Sequence, residues 1–301
     1  MDKAPFLRKQ NMFVSYLIII LFYLVALVIA IVIGFFLSSR MHIILVVLVS
    51  DIAATLFIYL LSTVMKNTSI YDPYWSVAPI VIAIYLLILG SSQNSVSVKQ
   101  ILIFVLVSFW GIRLTYNWAR GWQGLSHEDW RYSKFREEKP KLFWFINLTG
   151  LQLMPTLLVF LGCLSLYPVL TSGTSNFSAL DIIGIIIVII AILLETIADE
   201  QLRIFTKWKE KGDIISKGLW GYTRHPNYLG EISFWWGLWF FALSVNAADY
   251  WWMIVGPISM VVLFLIISIP MMEKHLKEKY PKYEEYQKRV SILLPWFSRK
   301  K

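Results

Sequence analysis

The chain has 301 residues, carries a formal net charge of +9, and is 57% hydrophobic but only 16% charged, with a mean hydropathy of +0.62. That balance excludes a soluble domain and predicts an all-α polytopic membrane helix bundle, one membrane domain over residues 1–301. The single cysteine, Cys163, excludes an intrachain disulfide, and four scattered histidines (His42, His127, His225 and His275) predict no bound metal.

Residues 12 to 39 contain no charge. The run is too long for a signal-peptide core and no small-residue cleavage site follows it, so it reads as a retained first span. Apolar runs predict spans near 12–38, 43–65, 75–90, 101–119, 143–170, 180–201, 227–245 and 251–272. Lysines and arginines then set the topology. Segments 1–11, 66–74, 120–142, 203–226 and 273–301 hold 25 of the 28, the connections opposite hold only Arg40 and Lys99, and Arg113 lies within a span. Eight spans with both termini cytoplasmic follow. The segment 227–245, rich in Gly and Trp, can also be a bent or re-entrant helix, leaving seven. The tail, 274–301, is basic and aromatic, with Tyr280, Tyr283 and Tyr286 three apart; it suits a helix lying at headgroup level.

The polar groups within and beside the spans gather toward the predicted cytoplasmic face. Asp72 and Tyr74 open the third span in Tyr-Asp-Pro-Tyr-Trp-Ser. Arg113, Asn117 and Arg120 follow i, i+4, i+7 spacing, a polar stripe with Tyr116 beside it. Glu195, Asp199 and Arg203 run i, i+4, i+8 down another span. Residues 218–231, Gly-Leu-Trp-Gly-Tyr-Thr-Arg-His-Pro-Asn-Tyr-Leu-Gly-Glu, concentrate Tyr222, Arg224, His225, Asn227, Tyr228 and Glu231 at the entrance of an apolar segment. Pro226 suits the first turn of a helix, which places Asn227 and Glu231 on one face and Arg224 and His225 at its positive end, where an anion is readily held. Ionisable groups are costly in lipid and usually functional, so a shared polar cavity open to the cytoplasm is expected. No G-x-G-x-x-G or Walker loop is present. A nucleotide therefore has to be gripped between helices by scattered Arg, Asn and Tyr.

Three motifs in order, Glu-Asp-Trp-Arg-Tyr (128–132), Ala-Asp-Glu-Gln (198–201) and the 218–231 stretch, resemble the DUF1295 membrane family. That family is related to the C-terminal domain of steroid 5-alpha-reductases and more distantly to isoprenylcysteine carboxyl methyltransferases. The resemblance runs from about Asp72 to Pro295. It implies a membrane-embedded, NADPH-dependent reductase of an activated carbon–carbon double bond in a sterol-like or isoprenoid lipid. The implied cofactor contacts are Asp199, Asn227 and Glu231, with Arg203, Arg224 and Tyr228 nearer phosphate or ribose. Tyr222, His225, Glu195, Arg113, Asn117 and Arg120 complete the candidate cofactor set, and Asp72, Tyr74 and Tyr116 are the candidate catalytic residues. The Glu–Tyr pair that polarises the steroid carbonyl has no clean counterpart, and Asp72 lies in the corresponding region.

Enone reduction needs a hydride at the β-carbon, an electrophile for the developing enolate and a proton at the α-carbon. Asp72 beside Tyr71 and Tyr74 is expected to be that electrophile. The alternative is an S-adenosylmethionine-dependent methyltransferase of lipid or isoprenylcysteine type, which the Arg-His-Pro-Asn-Tyr run and the Tyr-Glu-Glu-Tyr…Leu-Pro tail also resemble. A second alternative is a non-catalytic lipid-binding or transport protein. The expected partners are a lipid-soluble substrate and membrane lipids, with no nucleic acid. The expected location is the plasma membrane in a bacterium or the endoplasmic reticulum in a eukaryote.

Overall fold

The computed structural model describes residues 11–91, 95–172, 176–210 and 212–296. Among these residues the regular structure is helical throughout, and seven helical stretches are long and apolar enough to cross a membrane. The protein is an integral membrane protein built as a helix bundle. It divides into two compact units, Met1–Ile88 with Val107–Leu164, and Leu89–Leu106 with Ser165–Lys301.

The first unit holds α1 (Met12–Leu37), α2 (Ile43–Val64), α3 (Tyr74–Ser91) and the C-terminal half of α4 (Val98–Gly121). The short helices α5 (Trp130–Glu138), α6 (Phe143–Ile146) and α7 (Met154–Cys163) complete it. Asn11 caps α1 through its side chain to the Phe13 N–H at 3.1 Å. Large apolar side chains are exposed along α1, as on a helix surrounded by lipid. A 3-10 turn, Thr68–Tyr71, precedes α3 and is fully buried. The loop after α4 pins that turn. Asn67 Nδ2 donates to the Leu125 and His127 carbonyls at 2.8 and 3.0 Å, and the Thr68 N–H donates to Glu128 Oε1 at 2.8 Å. Arg136 holds Glu128 from the other side at 2.7 Å. The Glu-Asp-Trp-Arg-Tyr motif thus shapes the chain at the start of the third span. Between α6 and α7 the helix widens into a π segment, Asn147–Leu153. Its extra residue per turn re-aims the side chains that follow it.

The second unit holds α8 (Leu166–Thr171), α9 (Ala179–Trp208) and α10 (Pro226–Tyr250). It continues through α11 (Val255–Val262), a π segment (Leu263–Ser268), α12 (Ile269–Lys279) and α13 (Tyr283–Arg289). α9 and α10 pack closely because α10 carries glycine at the contact: a Cβ on Gly230 would lie 2.4 Å from Glu195 Cγ. Gly218 is fixed by its backbone as well, with φ at +63° and Gln201 against it. α10 covers the predicted 227–245 span but is not among the seven strongly apolar stretches. At Asn246 the backbone leaves helical geometry (φ −160°, ψ 105°), and its side chain caps the next turn by accepting from the Ala248 N–H at 3.1 Å. The twenty residues before that break still span roughly 30 Å, a hydrocarbon thickness.

One buried ionic cluster ties this unit together. Ser178 and Asp181 form the capping box that starts α9. Asp181 then pairs with Lys99 Nζ at 2.8 Å and accepts from Ser244 Oγ at 2.5 Å. Lys99 and Asp181 side chains are 1% and 0% exposed. Removing one member of a buried pair strands the other, at about 3–5 kcal/mol. Lys99→Met is therefore expected to lower thermal stability in detergent sharply, and Lys99→Met with Asp181→Leu to recover most of the loss.

Candidate functional site

In the second unit the 218–231 motif starts α10 as its composition dictates. His225 is the N-cap and Pro226 opens the helix. Ala198 and Gln201 of the neighbouring motif hold the preceding turn: the Trp220 indole donates to the Ala198 carbonyl at 3.1 Å and the Leu219 N–H to Gln201 Oε1 at 3.0 Å. Arg224 and His225 do stand at the positive end of the helix, and the anion there is the protein's own. Glu273 of α12 accepts from Arg224 Nε at 2.6 Å and lies 3.1 Å from His225 Nε2. It also takes a hydrogen bond from Gln287 Nε2 at 2.6 Å.

Arg224 reaches further, donating through Nη1 to the carbonyls of Gln287 and Val290 at 3.1 and 2.5 Å, at the C-terminal end of α13. The chain after α13 runs along the same motif, with the Arg224 N–H on the Ser291 carbonyl at 2.9 Å and the Trp296 N–H on the Tyr222 carbonyl at 3.1 Å. The tail is therefore docked against the start of α10. The i, i+3 spacing puts Tyr283 and Tyr286 on one face, and that face is buried at 2% and 3% exposure. Burial raises both phenols well above their usual range.

Between the C-terminal end of α9, the N-terminal end of α10, α12 and α13 lies a cavity of about 190 Å³. Its lining includes two cations, Lys209 and Arg224, one carboxylate, Asp213, the Asn227 amide, and the rings of His225 and four tyrosines. His225 and Tyr228 stack at 5.2 Å with planes 4° apart. Lys209 Nζ lies 3.1 Å from Tyr280 Oη, a contact that lowers the phenol's pKa. This set suits a ligand carrying a phosphate and a flat ring.

The first unit contains a second, apolar cavity of about 350 Å³ between α1, α2 and α3, inside the range of roughly 300–1,000 Å³ for small-molecule pockets. Its few polar groups include Asp51 and Tyr74. Tyr74 Oη donates to Asp51 Oδ1 at 2.6 Å, and Asp51 is 7% exposed. The other carboxylate oxygen, Asp51 Oδ2, is buried without a hydrogen-bond partner. Such an atom costs about 1–3 kcal/mol unless a ligand satisfies it.

The expected site residues divide accordingly. Arg224, His225, Asn227 and Tyr228 line the smaller cavity, and Tyr74 lines the larger. Asp72 does not line the larger cavity: its carboxylate receives Tyr132 Oη at 2.5 Å, beside Arg131 and Asp129. Burial, with that carboxylate beside it, raises the Tyr132 phenol. Tyr116 is 63% exposed under the Arg120 guanidinium, at 5.6 Å. Asn117 Oδ1 accepts from Arg120 at 2.7 Å, and Arg113 on the same helix is half-buried. In the second unit Glu195 is buried against Gly230, Asp199 is half-buried, and Arg203 pairs with Glu200 on an exposed face. Glu231 accepts from the Trp235 indole at 3.1 Å, and Tyr222 is half exposed; neither lines the smaller cavity. The residue that sequence reasoning missed is Asp51. Its signal was present, since it is the one acidic residue within the apolar run Ile43–Val64.

A helical integral membrane protein with a polar cavity in one unit and an apolar cavity in the other is the class these features define. The chain belongs to the family described as protein of unknown function (DUF1295), which it matches over residues 58–290. It is 27% identical over 252 residues to an uncharacterised protein of Schizosaccharomyces pombe, covering 76% of this chain and 73% of that relative. No solved structure matches it.

Charge-assisted hydrogen bonds such as those from Arg224 contribute about 1.5–3 kcal/mol each. Arg224→Met is expected to free α13 and to speed tryptic cleavage at Lys288 and Arg289 by about tenfold or more. Limited proteolysis followed by intact-mass analysis measures this.

Proposed function

We propose that the protein is an NADPH-dependent reductase of an activated carbon–carbon double bond, an enone, in a sterol-like or isoprenoid lipid. The observation that carries this reading is the Tyr74–Asp51 pair set in a largely apolar cavity. Its support in the sequence is the resemblance of three motifs to the DUF1295 family, taken as related to the C-terminal domain of steroid 5-alpha-reductases. The location that goes with it is the plasma membrane in a bacterium or the endoplasmic reticulum in a eukaryote.

An apolar cavity favours the body of a lipid, and one phenol–carboxyl pair within it selects for a single polar group. With Asp51 protonated and donating to Tyr74 Oη, the Tyr74 hydroxyl turns its own proton to a carbonyl oxygen beside it, a hydrogen bond that strengthens as negative charge builds toward the enolate. Asp51 orients that hydroxyl, and its second oxygen is available to a further polar group of the ligand. Asp51 takes the role that the sequence suggested for Asp72. The smaller cavity's residues fit a dinucleotide in chemistry. Lys209 suits phosphate, Asn227 suits ribose or amide, and Tyr280 offers a face for a ring. NADPH, when bound, supplies hydride for the β-carbon; the chain's own part is to hold the carbonyl, exclude water and provide a route for the proton to the α-carbon.

The test is NADPH oxidation by the purified protein in nanodiscs with cholestenone or a polyprenyl enone. Tyr74→Phe and Asp51→Asn are expected to lower kcat by about 10²–10³-fold while NADPH still binds. Asn227→Ala and Lys209→Ala are expected to weaken NADPH binding with the lipid site intact. Binding of S-adenosylmethionine without NADPH would replace this reading with the methyltransferase one. Lipid binding with neither cofactor would leave a carrier.

A further inference from the structure

We propose that Thr156 and Tyr71 are positioning residues that fix the geometry of the Tyr74–Asp51 pair; the inference rests on the reductase reading for its chemistry, though not for its geometry. Neither residue lines the apolar cavity. Tyr71 stacks on Tyr74 with ring centroids 5.2 Å apart and planes 19° apart. Its own hydroxyl is anchored to Thr156 Oγ1 at 2.8 Å. Thr156 is in turn 2.9 Å from Thr55 Oγ1. Thr55 lies one helical turn after Asp51 on α2, on the same face.

One hydroxyl on α7 thereby references both halves of the pair. Through Thr55 it registers α2, which carries Asp51, and through Tyr71 it holds the ring against which Tyr74 lies. Tyr23 is tilted against Tyr74 at 6.1 Å, with its hydroxyl tied to the Ile70 carbonyl at 3.0 Å. The π segment Asn147–Leu153 immediately precedes α7, and its widened turn sets the phase in which Thr156 points at α2. Tyr71, Thr55 and Thr156 are 0%, 0% and 1% exposed. A core designed only to pack has no need of three hydroxyls there, because replacing both partners of a buried hydrogen bond with apolar groups is nearly neutral. Hydroxyls add direction, and direction is what a phenol that must meet a carbonyl within tenths of an ångström requires.

The experiment uses the full chain in nanodiscs, with Thr156→Val, Thr156→Ser and Tyr71→Phe, each alone, and fluorotyrosine placed at position 74 as a local probe. In the parent protein the fluorine resonance is expected to be single and narrow. It should broaden or split in Thr156→Val and Tyr71→Phe and stay single in Thr156→Ser, which keeps the hydroxyl. With cholestenone and NADPH, Thr156→Val and Tyr71→Phe are expected to lose about tenfold in kcat with KM and NADPH affinity unchanged, and Thr156→Ser to keep parental kcat. An unchanged resonance in both hydroxyl-deleting variants overturns the proposal whatever the activity. So does an equal fall in Thr156→Ser, which marks loss of packing and not of direction. If the resonance responds as expected but the parent protein reduces no enone, the positioning stands and the reductase reading falls.

Discussion

The structure depends on the cost of placing a carboxylate in an apolar medium. Three acids, Asp181, Glu273 and Asp72, are each answered by specific partners, and each partnership fixes one part of the bundle. Asp181 is answered by Lys99 and Ser244, and so ties the start of α9 to α10 and α4. Glu273 is answered by Arg224, His225 and Gln287, and so fastens the C-terminal segment to the family motif. Asp72 is answered by Tyr132 and so joins the start of the third span to α5. Asp51 differs from those three. One of its oxygens is held by Tyr74, the other has no hydrogen-bond partner, and the residue borders a cavity. Where the other acids close a structure, this one leaves a place for something else.

The span pattern was legible because lipid imposes it. An uncharged run such as 12–38 has no alternative to a helix, and the observed Met12–Leu37, Ile43–Val64 and Val98–Gly121 follow their predicted limits closely. The 143–170 run was read as one span, but it breaks near Leu164, and its π segment at Asn147–Leu153 left no trace in hydropathy. A π turn changes which residues share a face without changing how apolar they are. For that reason Gln152 and Thr156 could not be assigned to the interior before the structure was known. The kink at Asn246 was hidden similarly: its side-chain cap on the Ala248 N–H is local, two residues on, and leaves no mark in hydropathy.

The candidate site was half legible. The stretch 218–231 was recognisable because Pro226 and the polar residues around it fit a helix start, and five of its residues do border one cavity. What charge reasoning could not foresee is that Arg224 is largely consumed by Glu273 and the end of α13. An arginine at a helix N-terminus looks the same in sequence whether its anion is a ligand or a residue 49 positions away. Asp51 was missed for the opposite reason. It lies before the matched region, residues 58–290, so attention to motifs passed over the acid that the general rule about intramembrane charges singles out.

These two errors have one origin. Polar residues in a membrane protein have to be sorted by whether their partner is internal, and only distances do that. Once sorted, Arg224 and Asp72 become part of the frame, while Tyr74 and Asp51 remain as a pair with capacity to spare. The chemistry proposed here follows from that remainder. A phenol donating to a carboxylate in an apolar cavity is an arrangement that folding alone does not require, since a phenylalanine and a leucine would fill the same volume without burying an unmatched oxygen. The chain tolerates the cost on α2, and it braces the pair with Tyr71 and Thr156 from a second and a third helix. Strain-free packing would have made the simpler core. The costly pair and the directional contacts around it are what the proposed ligand site rests on.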